Sequence, residues 1–214
     1  MTDPAPLTRG AQALIVDWHG TVVDNTAARH AALQAALAPH GIPAPAERYL
    51  TLAGLPVREV ISWRAADAAL LPPPAEEVVA RSRAELLAGP APHPVPCTLD
   101  LLHTTRSHGI PLAVASSAAA VLVYDGIQQP GRQALLSVVV TLDDVPRGKP
   151  APDAYLEAGR RLGAAPTRCL AVDDAEDGIA AALAAGMHTL AIHHGRLVLA
   201  TTAHTPGAVR AAQP

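Results

Sequence analysis

Five short apolar segments, each running into polar residues, limit the folds open to this 214-residue chain more than any other feature. Helix-length segments with apolar residues at three- and four-residue spacing lie between them, so strand and helix patterns alternate. This alternation predicts an α/β fold with a doubly wound parallel sheet, covered by helices on both faces. The predicted strands are 11–17, 110–115, 136–141, 168–173 and 187–193.

The connection after the first predicted strand has a different pattern. Between Asp24 and about Pro96 no segment has a convincing strand pattern, whereas helical patterns are separated by Gly and Pro breaks. About seventy helical residues after one strand predict an inserted all-helical cap subdomain. The predicted cap helices are 26–38, 46–53, 57–70 and 75–87.

The same patterns predict how the chain divides. We expect an α/β core formed by 11–24 and 96–200, with the cap at 25–95. The ends, 1–10 and 201–214, carry little pattern and are predicted to be loosely ordered tails.

Composition excludes some classes of function. A net charge of −3 offers no electrostatic reason to expect a nucleic-acid or acidic-membrane partner. No signal-peptide pattern and no membrane-length apolar run is evident. Cys97 and Cys169 are far apart and suggest inert thiols in a reducing cytoplasm. We expect a cytoplasmic protein that is a monomer or a homodimer.

Polar side chains cluster where the predicted strands end. Ligands of parallel α/β sheets bind outside the carboxyl ends of the strands, so these residues are expected to converge on one rim. Each feature alone is weak, because an Asp or Ser after a strand is often only a helix cap. The residues are Asp17, His19, Gly20, Thr21 and Asp24 after the first strand, Ser116 and Ser117 after the second, Lys149 beyond the third, and Asp173, Asp174 and Asp177 after the fourth.

Lys149 stands out by composition. The chain has 16 basic residues, and Lys149 is its only lysine. A compact ammonium can occupy a position that a planar guanidinium cannot, so a single lysine in an arginine-rich chain suggests a specific role.

The order and spacing of these features resemble the four motifs of the haloacid dehalogenase superfamily. The first motif is similar to 17–24, the second to 114–117, the third to 143–153, and the fourth to 169–174 with its continuation to 187. The resemblance covers about residues 11–195 and indicates the helical-cap subgroup, which includes β-phosphoglucomutase, small-metabolite phosphatases and phosphonatase. It implies a Rossmann-like core and hydrolysis of a small phosphorylated metabolite.

This resemblance also implies roles for individual residues. Asp17 would be the nucleophile that forms an aspartyl-phosphate. Mg²⁺ would bind a carboxylate oxygen of Asp17, the backbone carbonyl of His19 and Asp174, with Asp173 close behind.

The phosphoryl group would have its own set of contacts. Ser116 and Ser117, or the backbone amides beside them, would donate hydrogen bonds to its oxygens. Thr21 would help to hold the nucleophile loop and the phosphate. Lys149 would lie between Asp17 and the phosphoryl group and offset the repulsion between two anions.

His19 departs from the pattern of the superfamily, in which phosphatases usually have an Asp two residues after the nucleophile. Three interpretations stay open: a phosphatase in which His19 transfers protons, best as a base and on good leaving groups; a hydrolase of another bond; or a non-catalytic protein that binds a phosphorylated ligand. The Asp17-Trp18 pair is similar to phosphonatases, but 52–60 lacks the lysine that their Schiff-base chemistry needs.

The cap contributes one further candidate. Arg58 follows the Gly54 loop, which faces the active site in relatives, and Arg48 and Arg64 are its potential neighbours. One of them is expected to recognise the distal anion of the substrate, with a surface salt bridge as the alternative.

Overall fold

The computed structural model describes residues 8–52, 57–128, 135–193 and 195–200. The chain divides into two compact units. One comprises Asn25–Pro92, and the other comprises the chain on either side of it, Met1–Asp24 and His93–Pro214. The predicted tails fall almost entirely outside the described residues; within the first of them, Thr8 is buried and its carbonyl accepts a hydrogen bond from the Ala11 amide.

The larger unit contains a six-stranded sheet and a separate pair of very short strands. In chain order the strands are β1 (Ala13–Val16), β2 (Val23–Asp24), β3 (His93–Pro94), β4 (Leu112–Ala115), β5 (Val138–Val140), β6 (Cys169–Asp173), β7 (His188–His193) and β8 (Arg196–Leu199). The sheet order is β5-β4-β1-β6-β7-β8, and all neighbours except β7 and β8 run parallel. The predicted doubly wound α/β fold is confirmed, with all five predicted strands in place.

Helices fill both units. The described helices of the smaller unit are α1 (Thr26–Leu37), α2 (Ala46–Leu52), α3 (Val57–Asp67) and α4 (Ala75–Ala88). Those of the larger unit are α5 (Pro96–Ser107), α6 (Ala120–Ile127), α7 (Asp153–Leu162) and α8 (Glu176–Ala184). None of these described helices has both the length and the apolar character that a membrane span requires.

The central strand β1 shows how the sheet is buried on both faces. Its side chains alternate, so Ile15 packs on the α7 and α8 face beside Ala158, while Leu14 and Val16 pack on the opposite face. That opposite face is covered by α5 and α6, through residues such as Leu101. Every residue of β1 is fully buried, which explains its continuous apolar sequence.

Two parts of the larger unit differ from the sequence-based expectation. The prediction of no strand between Asp24 and about Pro96 is wrong, because β3 pairs there with β2 in antiparallel fashion. Two residues, one of them a proline, are too few to show a strand period. The sheet also gains β8, an edge strand that pairs with β7 in antiparallel fashion.

The smaller unit is all-helical within its described residues and has its own apolar core. Leu37 on α1, Ile61 on α3 and Val78 on α4 are buried together. Arg64 on α3 is also buried, and its guanidinium donates two hydrogen bonds to the carbonyl of Pro43, at 2.7 and 3.1 Å. The prediction of helix 46–53 extends to one residue outside the described part of the chain.

Candidate active site

The side chains predicted to converge lie at the carboxyl ends of three adjacent parallel strands. Asp17 follows β1, at the centre of the sheet, between β4 and β6. Its amide donates to the carbonyl of Val172 at 2.9 Å, so pairing with β6 continues past the end of β1. Ser116 follows β4, and its amide donates to the carbonyl of Val140 at 2.9 Å. The sheet therefore holds the backbone at these positions.

The loop after Asp17 turns sharply over the end of β1. The carbonyl of Trp18 accepts the amides of Val22 and Val23 at 2.9 and 3.0 Å. Gly20 adopts a φ of +95°, and a Cβ there would overlap the carboxylate of Asp174. Glycine is required at position 20 for both reasons.

Trp18 anchors this loop in the apolar core. Its side chain is 1% exposed and packs closely on Gly126 of α6, where a Cβ would lie 2.9 Å from the indole nitrogen. Among the described residues, no hydrogen-bond partner is found for that indole N–H. The contact with Gly126 allows the largest side chain of the core to fit directly beside Asp17.

Lys149 joins two carboxylates from different strands. Its ammonium donates to Oδ1 of Asp17 at 2.6 Å and to Oδ2 of Asp173 at 2.7 Å. The side chains are 7%, 10% and 1% exposed for Lys149, Asp17 and Asp173, so both ion pairs are shielded from water. The single lysine of the chain therefore contacts the predicted nucleophile directly.

Asp173 is held by donors on both of its oxygens. Oδ1 accepts the amide of Ala175 at 3.0 Å, and Oδ2 accepts Lys149 and the hydroxyl of Tyr155, each at 2.7 Å. A Cβ at Gly178, in the first turn of α8, would overlap this carboxylate. Asp173 is thus confined to one orientation.

Asp174 has a different environment. The residue is exposed, and its Oδ1 accepts the hydroxyl of Thr21 at 2.8 Å. Thr21 is fully buried and orients this carboxylate. The predicted contact of Thr21 with a phosphoryl group stays a prediction.

Charges in the cluster are only partly balanced by the protein. Burial raises the pKa of Asp17 above its ordinary value of 3.8, and the charges of Asp173 and Asp174 add to that effect against the attraction of Lys149. Burial opposes protonation of Lys149, but attraction to Asp17 and Asp173 outweighs it and raises the pKa of the ammonium. Three carboxylates facing one ammonium carry two uncompensated negative charges when all are ionised.

This imbalance fits a divalent cation. One carboxylate oxygen from each of Asp17, Asp173 and Asp174 lies within 4.8 Å of the others. Oxygen donors of this kind suit Mg²⁺, and a double positive charge would balance the cluster. Asp173 already has hydrogen-bond donors on both oxygens, so Asp17 and Asp174 are the better-placed ligands, and the set fits the metal.

The serines predicted to contact phosphate lie at the end of β4. Ser116 is buried, and its hydroxyl oxygen accepts the amide of Ala118 at 3.2 Å, which leaves its proton available as a donor. Ser117 is exposed. Both positions are consistent with the predicted roles, which stay predictions.

His19 and the cap arginines complete the set of predicted residues. His19 lies two residues beyond Asp17, is partly buried and bridges to Val23. Arg58 is exposed on α3 and forms an ion pair with Glu76 of α4. Arg48 and Arg64 both bind Asp67, at 2.9 and 2.5 Å. Each of these arginines thus has an acidic partner within the smaller unit.

Sequence reasoning missed the contact of Tyr155 with the cluster. This residue is completely buried on the sheet-facing side of α7 and donates to Asp173. Two signals pointed to it. Aromatic residues make up only 2% of the chain. Tyr155 also lies four residues before Gly159, just as Ala154 lies four residues before Ala158, and this spacing predicts a buried helix face.

A comparison with protein families decides the assignment suggested by this geometry. The profile of the haloacid dehalogenase-like hydrolases matches residues 11–186, which include all the residues of the cluster. The chain belongs to the haloacid dehalogenase-like hydrolase family. The predicted superfamily and helical-cap subgroup are confirmed.

Individual relatives agree with this family assignment. Fructose-1-phosphate phosphatase YqaB of Escherichia coli is 31% identical over 182 residues, which are 81% of this chain and 92% of that protein. The bifunctional riboflavin kinase/FMN phosphatase of Arabidopsis thaliana is 37% identical over 93 residues, but the match covers only 24% of that protein. These phosphatases support the predicted phosphoric monoester hydrolase.

The fold has close counterparts among solved structures. A crystal structure of CbbY from Rhodobacter sphaeroides, in complex with xylulose-(1,5)bisphosphate, superposes with a TM-score of 0.71. The match covers 85% of both chains at 23% sequence identity. This similarity shows that the two proteins share a fold.

Proposed function

We propose that the chain is a Mg²⁺-dependent phosphatase that hydrolyses a small phosphorylated metabolite through an aspartyl-phosphate on Asp17. The observation that carries the proposal is the contact of Lys149 with Asp17 in a cluster of three carboxylates, of which Asp17 and Asp173 are buried and Asp174 is exposed. Two buried carboxylates already outnumber the single ammonium, so an ion-pair network that only stabilised the fold would not require a third carboxylate beside them, because unbalanced charge near a buried ion pair is costly.

The reaction would take place in two displacements at phosphorus. A carboxylate oxygen of Asp17 attacks, the bond from phosphorus to the ester oxygen breaks, and the departing oxygen takes up a proton. Water then attacks phosphorus, loses a proton to a base, and releases inorganic phosphate with Asp17 restored. Division into two steps lowers the barrier of each.

Positive charge and hydrogen-bond donors would stabilise the phosphoryl oxygens during both steps. Lys149 would reduce the repulsion between the Asp17 carboxylate and the phosphoryl dianion. Ser116 and Ser117 would donate to the phosphoryl oxygens from the adjacent strand end, and Thr21 would hold Asp174 in place. Asp17, the His19 carbonyl and Asp174, supported by Asp173, would hold Mg²⁺, which would supply positive charge to offset the charge that develops on the phosphoryl group.

His19 would transfer the protons. It occupies the position two residues beyond the nucleophile, and an imidazole exchanges protons near neutral pH. Mg²⁺ held beside the imidazole would disfavour the protonated form, so His19 would serve better as the base for water than as the acid for the leaving group. Substrates whose leaving group needs little protonation, such as acyl phosphates, would then react faster than alkyl esters.

The relatives support a proposal for the substrate class. A matched phosphatase named for fructose 1-phosphate covers most of the chain, so sugar phosphates and related small metabolites are proposed as substrates, with Arg58 as a candidate contact for their distal groups. We propose a cytoplasmic location, as expected for an enzyme of such metabolites, and a monomer or homodimer as the working form.

A substrate screen would test this function. The purified protein is incubated with acetyl phosphate, fructose 1-phosphate, other sugar phosphates and phosphonoacetaldehyde, each with Mg²⁺ and with excess EDTA, and inorganic phosphate is measured. We expect release from at least one phosphate compound with Mg²⁺ only, and none from phosphonoacetaldehyde.

Two results would contradict the proposal. Release that does not depend on a metal ion would remove the Mg²⁺ requirement. Binding of phosphorylated compounds without any turnover would instead indicate the non-catalytic alternative.

A further inference from the structure

Tyr155 contacts the cluster in two ways. Its hydroxyl donates to Oδ2 of Asp173 at 2.7 Å, and the centre of its ring lies 5.1 Å from the ammonium of Lys149. Lys149 donates to the same oxygen of Asp173. The ring and the hydroxyl of one buried side chain therefore border the cation that contacts Asp17.

The carboxylate shared by Tyr155 and Lys149 cannot adapt easily. Its other oxygen accepts the Ala175 amide, and Gly178 lies so close that a Cβ would overlap it. A lysine side chain has several rotatable bonds and loses rotamer freedom when it is held in one position. Lys149 thus depends on a rigid partner to remain on Asp17, and the Tyr155 hydroxyl contributes to that rigidity.

We propose that Tyr155 is a positioning residue, whose hydroxyl and ring hold the Asp173–Lys149 pair so that the ammonium stays on Oδ1 of Asp17. This proposal rests on the proposed phosphatase function, in which Lys149 offsets the charges of nucleophile and substrate. Tyr155 is completely buried and contacts Asp173 rather than the space outside the strand ends. It would act through Lys149 and not on the substrate itself.

The expected size of the effect follows from the contact. A hydrogen bond to a charged group is worth enough to change a rate by about 10- to 100-fold. Displacement of a reacting group by about 1 Å can cost about 10²-fold. Phenylalanine at position 155 would keep the ring and remove only the hydroxyl, so we expect Tyr155→Phe to lower kcat about tenfold.

The composition of the chain offers a direct test of position. Lys149 is the only lysine, so protein labelled with ¹⁵N-lysine and expressed without additional lysines gives one side-chain ammonium signal in NMR spectra. In Tyr155→Phe we expect this signal to shift and its protons to exchange with water about tenfold faster, because one donor that fixes Asp173 is gone.

A control separates this effect from the general loss of a hydroxyl from a tyrosine of the core. Tyr49 on α2 is 5% exposed and belongs to the core of the smaller unit. Tyr49→Phe removes the same atom, and we expect it to leave kcat on acetyl phosphate and the Lys149 signal unchanged. Denaturation midpoints of both variants show that each is folded.

A double-mutant cycle tests whether Tyr155 acts through Lys149. In a Lys149→Met background, Tyr155→Phe is expected to have almost no further effect on kcat, so the two fold-changes do not multiply. If Lys149→Met does not fold, the exchange rate of the Lys149 ammonium in Tyr155→Phe decides alone.

The outcomes distinguish this inference from the proposed function. Unchanged kcat in Tyr155→Phe, with an active wild type, overturns the role of Tyr155 and leaves the phosphatase intact. Reduced kcat with an unchanged Lys149 signal also overturns it, since Tyr155 would then act by another route. A wild type inactive on every phosphate compound overturns the proposed function, and the role of Tyr155 in that reaction with it.

Discussion

The ammonium of Lys149 lies 2.6 Å from Oδ1 of Asp17, although the two residues are 132 positions apart in the chain. The same ammonium binds Asp173, so three parts of the chain meet in one shielded ion-pair network. Such networks are sensitive to geometry, because an unpaired buried charge has no water to compensate it. Lys149 therefore ties the position of Asp17, the proposed nucleophile, to the end of a neighbouring strand.

Replacement of Lys149 by arginine should severely impair turnover despite the unchanged charge. A planar guanidinium is larger and less adaptable than an ammonium and cannot occupy the same position between Asp17 and Asp173. We expect kcat/KM on acetyl phosphate to fall by at least about 10²-fold, as for a misplaced reacting group. As a control, the exposed ion pair of Arg147 with Asp153 should tolerate Arg147→Lys. Activity of Lys149→Arg within a few-fold of wild type would mean that the single lysine is incidental.

Gly178→Ala should damage both the fold and the site. The new Cβ would overlap the carboxylate of Asp173, which cannot move away without losing its hydrogen bonds. We expect the free energy of unfolding to fall by about 1–3 kcal/mol, as for other overpacked cores, with loss of turnover.

Gly159→Ala is the matched control for that prediction. Gly159 is also a buried helical glycine, but a Cβ added there would meet its nearest neighbour, the carbonyl oxygen of Ala164, at an ordinary 3.4 Å. The free energy of unfolding of Gly159→Ala should fall by less than about 1 kcal/mol or should increase, because alanine favours a helix more than glycine does. Equal stability of the two alanine variants in urea denaturation would refute the steric account.

Substitutions of His19 should separate proton transfer from other roles. His19→Asp restores the carboxylate that phosphatases of the family usually have at this position, so activity on alkyl phosphates should be preserved or rise. His19→Ala removes the proton carrier and should lower kcat by ~10²-fold or more. Rates are compared for acetyl phosphate and fructose 1-phosphate, because only the second needs a strong acid for its leaving group. Equal rates in all three proteins would exclude His19 from the mechanism.

Acid should weaken the contribution that the Glu157 carboxylate and its two arginine partners make to stability. Hydrogen bonds from Arg160 and Arg161 lower the pKa of Glu157 from 4.5 to about 2 in the folded protein. Such a carboxyl stabilises the fold above its unfolded pKa, and this contribution is lost as the pH falls from about 4.5 towards 2. In urea denaturation, the free energy of unfolding of wild type should exceed that of Glu157→Gln, and the difference should be larger at pH 7 than at pH 3. A stability difference that does not change with pH would contradict the shift.

The parallel strands and the polar residues at their ends are predictable from sequence for a physical reason. A strand buried on both faces, such as β1, must be continuously apolar, and the first polar residue after it marks the carboxyl end. Convergence of Asp17, Ser116 and Asp173 then follows from parallel pairing alone. Lys149 does not follow a strand directly, and its place in the cluster was predicted from the order of the motifs and from its being the only lysine in the sequence.

Other features were not predictable because they depend on tertiary packing. The hydroxyl of Tyr155 reaches Asp173 only because α7 lies against that part of the sheet. The requirement for glycine at 178 depends on the orientation of a carboxylate five residues earlier. Short strands such as β3 have no period of their own, and their pairing with β2 appears only in the folded chain.

The central claim, that Asp17 is the nucleophile, is tested most directly by trapping the acyl phosphate. Wild type is mixed with acetyl phosphate and Mg²⁺, quenched in acid within milliseconds and reduced with borohydride, which converts an aspartyl-phosphate to homoserine; peptides are then sequenced by mass spectrometry. We predict homoserine at position 17, only with Mg²⁺, and none in Asp17→Asn. Phosphate release by wild type with no modification at position 17, or with modification at another carboxylate, would contradict the assignment.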